Sequence, residues 1–340
     1  MSFITNIRSV AKYESKILVR SWFFRIFTLL AVVFLGFFNF AMMLMEDNFG
    51  LWFAKSVSSN IPYLNLLLLN TGQAVVAVFL SSEFLKRDKK LDTSEVFYVR
   101  PLSNAEYVVG KIWGNLRVFL FLNLLVLAIV LAFNFMASGV TVDLPAYLIY
   151  FFLISIPTLI FIIGLSIFLM LLLKNQALTF ILLLGYIGLT LFYIQDKFYY
   201  LFDYMVYNLP LFKSTIVGFS NLELILNHRA IYFFAGLGFI FFTIFLFKRL
   251  PNARRSHYPW LFLSFCMFLL MGTAGFRHVR SILREGEMRA LYTSINNKYV
   301  YEPKMAIDYY DISVEQKSET IRSVVGMEGT ALAASEVFIF

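Results

Sequence analysis

Apolar and polar residues fall into long blocks along most of this chain. Between Arg20 and Arg277 seven apolar segments follow one another, and they read as spans at 23–45, 62–84, 112–134, 146–173, 177–194, 230–247 and 259–276. About 20 consecutive apolar residues suffice for a helix to cross a bilayer core. Pro157 falls inside the fourth span and predicts a kink there, which a membrane bundle tolerates. Ahead of the spans, residues 2–20 follow a helical period. Phe3, Ile4, Ile7, Val10, Ala11, Ile17 and Leu18 recur at spacings of three and four, with Arg8, Lys12 and Lys16 as a basic stripe. Such a helix lies in the headgroup plane of an anionic leaflet or is simply solvated; its direct continuation through Trp22 into a span favours the first. From about Met305 the pattern turns strand-like, in AIDYYDISVEQ and then ETIRSVVGMEGT. The apolar run SEVFIF at the end is prone to aggregate if exposed, so the sequence is expected to stop inside a β-rich domain.

Composition agrees with a membrane protein. Hydrophobic residues make up 60% of the chain, against roughly 45–50% in soluble domains. Forty Phe and nineteen Tyr supply aromatics for both interfaces. The net charge of +8 does not imply nucleic acid, because the basic residues flank apolar spans. Fifteen of them share one side: Arg8, Lys12, Lys16, Arg20, Lys86, Arg87, Lys89, Lys90, Arg100, Lys111, Lys174, Lys248, Arg249, Arg254 and Arg255. The other side carries Lys55, Lys197, Lys213 and Arg229. The amino terminus is therefore expected in the cytoplasm and, with seven spans, everything after Phe276 outside. Arg277, Arg280, Arg284, Arg289, Lys298 and Lys304 resist that assignment, although long translocated segments escape the charge rule. The competing reading makes 259–276 a non-spanning segment and leaves the tail cytoplasmic. The polar opening of the chain is too long for a cleavable signal.

Chemistry is sparse. The single Cys266 lies in an apolar segment, and His228, His257 and His278 stand far apart in sequence, which argues against a zinc site. GxxxxGK[ST], HExxH and GxSxG are all missing, so these residues carry no such nucleotide-hydrolysing, peptidase or hydrolase motif. The spans hold almost no ionisable residues; Arg25 and Arg117 sit near span ends, where snorkelling is cheap, and Glu83 at the mouth of the second. Ion-coupled transporters usually need such groups in their pathway, so transport here would draw energy from a partner. No enzyme activity and no cofactor is expected of the chain itself. The longest cytoplasmic connection is 82–111, SEFLKRDKKLDTSEVFYVRPLSNAEYVVGK. Ser103 is a candidate N-cap, with Glu106 completing a capping box for the helix that becomes the third span. The loop reads either as a solvated connector or as a docking surface with apolar anchors Phe97, Tyr98, Val99 and Leu102.

An amphipathic leading helix, six spans and a charged loop ending RPLS…Y…GK resemble the permease subunits of bacterial type-two ABC exporters over roughly residues 1–250. The match carries onto Arg100, Pro101, Leu102, Ser103, Tyr107, Gly110 and Lys111, preceded by Glu83 and Glu95. The resemblance implies that this loop presses a short coupling helix into a cytoplasmic ATPase subunit, which binds the ATP. It also implies pairing with a second copy or a related permease, since six core spans make half a pathway. The aromatic stretch 195–229, broken by Pro210, looks like the extracytoplasmic re-entrant region of that family, or like an interfacial aromatic belt. A subgroup carries an extracytoplasmic domain similar to gluzincin aminopeptidases after the bundle, and YYDISVEQ fits its opening β-sandwich.

The expected fold is thus an all-α polytopic membrane bundle in a bacterial inner membrane. Residues 1–22 form an interfacial helix, 23–250 a six-helix permease domain, 259–276 a seventh helix, and 277–340 the start of an extracytoplasmic domain. Alternatives are a membrane platform for a peptidase-like domain, which seven spans make costly, and a membrane-embedded acyl- or glycosyl-transferase, which lacks a polar cluster at span depth. Membrane lipid is the remaining expected partner.

Overall fold

The computed structural model describes residues 3–44, 57–87, 102–136, 142–209, 211, 213–214, 218–219, 221–247, 258–300, 305–317 and 320–331, with side chains for all of these except 44, 82–87, 305 and 331. Within them seven helices are long and apolar enough to cross a membrane. Helix α1 (Phe3–Arg20) breaks at Ser21 and α2 (Trp22–Leu44) follows. Then come α3 (Asn60–Arg87), α4 (Asn104–Met136), α5 (Leu144–Leu173), α6 (Gln176–Ile194), α7 (Leu222–Leu246) and α8 (Tyr258–Tyr299). Strands β1 (Met305–Lys317) and β2 (Thr320–Ala331) pair antiparallel, with Ile312 opposite Val325. This is a multi-pass membrane architecture with a β-ribbon beyond it.

All seven apolar segments form helices, but three helices outrun their apolar stretches. Helix α4 starts at Asn104, α7 at Leu222, and α8 continues to Tyr299. Apolar content marks what lipid tolerates, whereas a helix, once nucleated, extends for little cost through residues whose polar groups find partners. The early start of α7 corrects one assignment: Arg229, read above as a loop residue, lies two turns inside the helix and is buried.

The core is built by α3, α4, α5 and α7. Close crossings use glycine, as expected where small residues let membrane helices approach. A methyl added to Gly164 of α5 would meet the Gly236 carbonyl of α7 at 2.6 Å, and one on Gly236 would meet the Ile160 carbonyl at 2.7 Å. Gly238 similarly accepts the Phe268 ring of α8. Within the core Asn70, Asn123, Ser155 and Gln73 are linked by hydrogen bonds, among them Asn70 Nδ2 to Asn123 Oδ1 at 3.0 Å and Asn123 Nδ2 to Gln73 Oε1 at 2.8 Å. Asn39 and Asn65 pair between α2 and α3. Such amide pairs join helices where lipid cannot compete for them. By contrast α2, α6 and α8 turn most of their apolar surface outward, including Phe34, Phe37, Ile181, Phe262 and Phe265.

Candidate functional site

Two places concentrate polar groups. The first is where α1 lies along the start of α4. Ser103 Oγ accepts from the Glu106 N–H at 3.1 Å while Glu106 Oε2 accepts from the Ser103 N–H at 2.6 Å, the reciprocal capping box that the sequence indicated. The other Glu106 oxygen takes Asn6 Nδ2 of α1 at 2.8 Å. One turn on, Lys111 Nζ meets Glu14 Oε2 at 3.1 Å with both side chains almost fully buried. Arg117 does not snorkel as expected: its guanidinium donates to Ser15 Oγ and, at 2.8 Å, to the Ala11 carbonyl. The helices approach this closely because Gly110 and Gly114 stand one turn apart on the same face. Methyl groups there would meet Val10 Cβ and Glu14 Cβ at 2.7 Å. Tyr107 stacks on Phe247 at 5.5 Å and Asn104 Nδ2 donates to the Phe247 carbonyl, so the end of α7 joins the same cluster.

Helix α1 consequently divides its apolar stripe. Ala11 and Leu18 pack inward with Glu14 and Ser15, while Phe3 and Ile4 stay exposed beside the basic stripe of Arg8, Lys12 and Lys16. Of the residues proposed for docking, Ser103, Tyr107, Gly110 and Lys111 are brought together at this joint, and half-buried Leu102 directly precedes it. Glu83 belongs to the end of α3 by its backbone. Glu95, Phe97, Tyr98, Arg100 and Pro101 lie outside the described residues.

The second place is at the opposite end of α4, where the segment 195–211 enters the bundle. Met205, Val206, Leu209 and Leu211 are buried there with Asp203 and Tyr204, and Phe198, Tyr207 and Phe202 face outward. Its anchor is Arg229, 2% exposed. Nε donates to the Leu153 carbonyl at 2.6 Å, Nη1 to the Tyr204 carbonyl at 2.8 Å, and Nη2 to Thr158 Oγ1 at 2.8 Å and the Ile154 carbonyl at 3.3 Å. The cause lies in α5. Pro157 has no N–H to offer the carbonyl four residues back, that of Leu153, and a π-turn over Phe151–Ser155 precedes it. Arg229 supplies the donors that the break removes. Burial pushes the Asp203 carboxyl up from the ordinary carboxylate range, against N–H donors of Asn208, Tyr207 and Val206 and the charge of Arg229.

Beside this cluster Phe198, Tyr199 and Tyr200 all adopt left-handed backbone, at φ 51°, 59° and 63°. For residues with a Cβ each such turn costs roughly 1–2 kcal/mol, and it persists only where surroundings impose it. Here His278 Nε2 of α8 meets the Tyr199 carbonyl at 2.8 Å and His228 Nε2 of α7 the Tyr200 carbonyl at 3.0 Å. The two imidazoles, far apart in sequence, therefore stand 5.0 Å apart between ring centres. No group of three or more His, Cys, Asp or Glu able to hold a metal occurs among the described residues. Glu106 and Lys111 of α4 and His228 and Arg229 of α7 lie outside the apolar spans read from the sequence, yet all four are buried where these helices extend past their apolar stretches.

The spacing Gly110–Gly114 could have flagged the α1–α4 contact in the sequence. No local signal could have paired Arg229 with Pro157, 72 positions earlier. No protein-family model matches this chain, and a comparison with curated proteins finds no match either.

Proposed function

We propose that this chain is the membrane subunit of an ATP-driven exporter, with ATP bound and hydrolysed by a separate cytoplasmic subunit that docks on loop 82–111. The observation that carries the reading is the α1–α4 joint. A loop rich in both charge signs leads into a helix whose first turns are locked to α1 by Asn6–Glu106, Glu14–Lys111 and Arg117 with Ala11 and Ser15. A push delivered at the loop would then move α1 and α4 as one body, where a merely solvated connector would need no such rigid seat. The resemblance in Arg100, Pro101, Leu102, Ser103, Tyr107, Gly110 and Lys111 supports the same reading. Six core helices in one chain supply half a pathway, so two copies, or this chain and a related permease, would enclose the route. In this orientation the amino terminus is cytoplasmic and α8 leads outward.

The experiment is Phe97→Ala with Tyr98→Ala. Interface hot spots cost at least about 2 kcal/mol on truncation, so the variant is expected to insert normally yet lose co-purification with the ATPase subunit and transport-dependent ATP hydrolysis. Undiminished association and hydrolysis would overturn the coupling role.

A second reading rests on α8. Its 42 residues run as one helix from an apolar half into a charged half, and the β1–β2 ribbon later in the chain has both faces exposed. A rod of that kind suits a platform holding a domain away from the bilayer. The two readings are compatible in one chain.

A further inference from the structure

One face of α8 is turned away from the bundle. The inward face is set by Ser264, whose hydroxyl donates to the Gly238 carbonyl at 2.9 Å, and by Ala274 and His278, both buried. On the opposite face Leu269, Gly272, Thr273, Phe276, Arg277 and Arg280 line an open groove of about 530 Å³. Their spacings of three, four, seven, eight and eleven residues from Leu269 put all of them on one helical stripe. Gly272 forms the floor: a Cβ there would meet nothing within 4 Å. The apolar end holds Leu269 and Phe276, and the other end holds two guanidinium groups. Neither Arg277 nor Arg280 has a hydrogen-bond or ion-pair partner among the described residues, and Arg284 follows on the same stripe.

We infer that this groove is a binding site for an anionic phospholipid, with the phosphate between Arg277 and Arg280 and an acyl chain laid over Gly272 between Leu269 and Phe276. Length and charge select this occupant. From Leu269 to Arg280 is eleven residues, about 16 Å along a helix at ~1.5 Å per residue, close to half of the ~30 Å hydrocarbon core. The groove therefore reaches from headgroup level to the depth of one leaflet's chain ends. Guanidinium is the side chain best suited to grip phosphate oxygens in pairs. The acidic residues of the same helix stand off: Glu285 falls on another face, and Glu287 lies seven residues, about 10 Å, beyond Arg280. A second copy of this chain would bring its own Arg277 and Arg280 against these if the contact were symmetric, which like charge opposes. The inference does not depend on the exporter reading.

The test uses the full chain purified in mild detergent from membranes containing both phosphatidylglycerol and phosphatidylethanolamine, with bound lipid read by native mass spectrometry. The wild type is expected to retain phosphatidylglycerol in about thirtyfold preference, from two arginines at the headgroup. Arg277→Gln with Arg280→Gln should abolish the preference. Gly272→Leu, at a position where an added Cβ meets nothing within 4 Å, fills the floor and keeps both charges, and it should cut retained phosphatidylglycerol several-fold while the elution profile and helix content stay unchanged. Equal retention by Gly272→Leu and wild type would overturn the groove and leave only general attraction of arginines to headgroups. No preference in the wild type would overturn it as well. A Gly272→Cys chain carrying Cys266→Ala that forms a disulfide-linked dimer in the membrane would assign this face to a second copy instead.

Discussion

At Arg229 one side chain repairs a defect made elsewhere. Pro157 takes a donor from the Leu153 carbonyl, and Arg229 of a different helix returns it while also holding the Tyr204 carbonyl of the buried segment. Arg229→Leu should therefore lower stability by on the order of 3 kcal/mol, since several buried carbonyls lose a charged donor at about 1–3 kcal/mol each. Pro157→Ala restores an N–H facing Leu153. Combined with Arg229→Leu it should recover part of the loss, giving a coupling of at least about 0.5 kcal/mol in thermal unfolding in detergent. Simple additivity would rule out the repair. Asp203 makes a pH prediction. Its folded carboxyl titrates above the unfolded one because of burial, so between the two values the folded state binds more protons. Stability then falls as pH rises from the ordinary carboxylate range through the folded value, and levels off above it. Asp203→Asn should flatten that decline in unfolding midpoints measured across a pH series; an unchanged slope would assign it to other groups.

Between elements, the contact that matters most for the proposed mechanism is α1 on α4. Its polar bonds are possible only because Gly110 and Gly114 bring the backbones together. Gly114→Leu should push α1 off, breaking the Ser15 hydroxyl bond to the Gly114 carbonyl and opening the buried Glu14–Lys111 pair. Limited trypsin digestion reads this, because Lys12 and Lys16 become cleavable once α1 is loose, whereas cleavage at wild-type rates would mean that α1 is held by something else. Losing one partner of a buried ion pair typically costs about 3–5 kcal/mol. The joint therefore fails as a unit.

For the whole molecule, orientation is the claim most open to measurement. In the proposed orientation, the charge asymmetry about the spans would keep loop 82–111 inside, and seven crossings would carry the charged half of α8 outside. In a chain carrying Cys266→Ala, an impermeant thiol reagent added to intact cells should modify Ser294→Cys and spare Ser94→Cys. The reverse pattern would invert the topology, and labelling of neither would place the α8 extension in the cytoplasm.

Residue pattern alone located the seven membrane-length helices found among the described residues, the strand-forming residues after Met305 and, from a Ser and a Glu three positions apart, the capping box at Ser103 and Glu106. Each of these is a local property: a bilayer or a helix end imposes the same demand wherever the segment sits. The start of α7 and the end of α8 were not legible, because charged residues there look like loop until their partners are known. Glu106 and Lys111 are satisfied by α1, Arg229 by a broken turn of α5, and His278 by a carbonyl near position 200. The histidine pair and the left-handed run it clamps have the same origin, since nothing within a few residues of Tyr199 calls for positive φ. What the sequence determined by itself was where lipid must be met. Tertiary structure decided which polar groups could be buried, because their cost depends on donors and acceptors brought from distant parts of the chain.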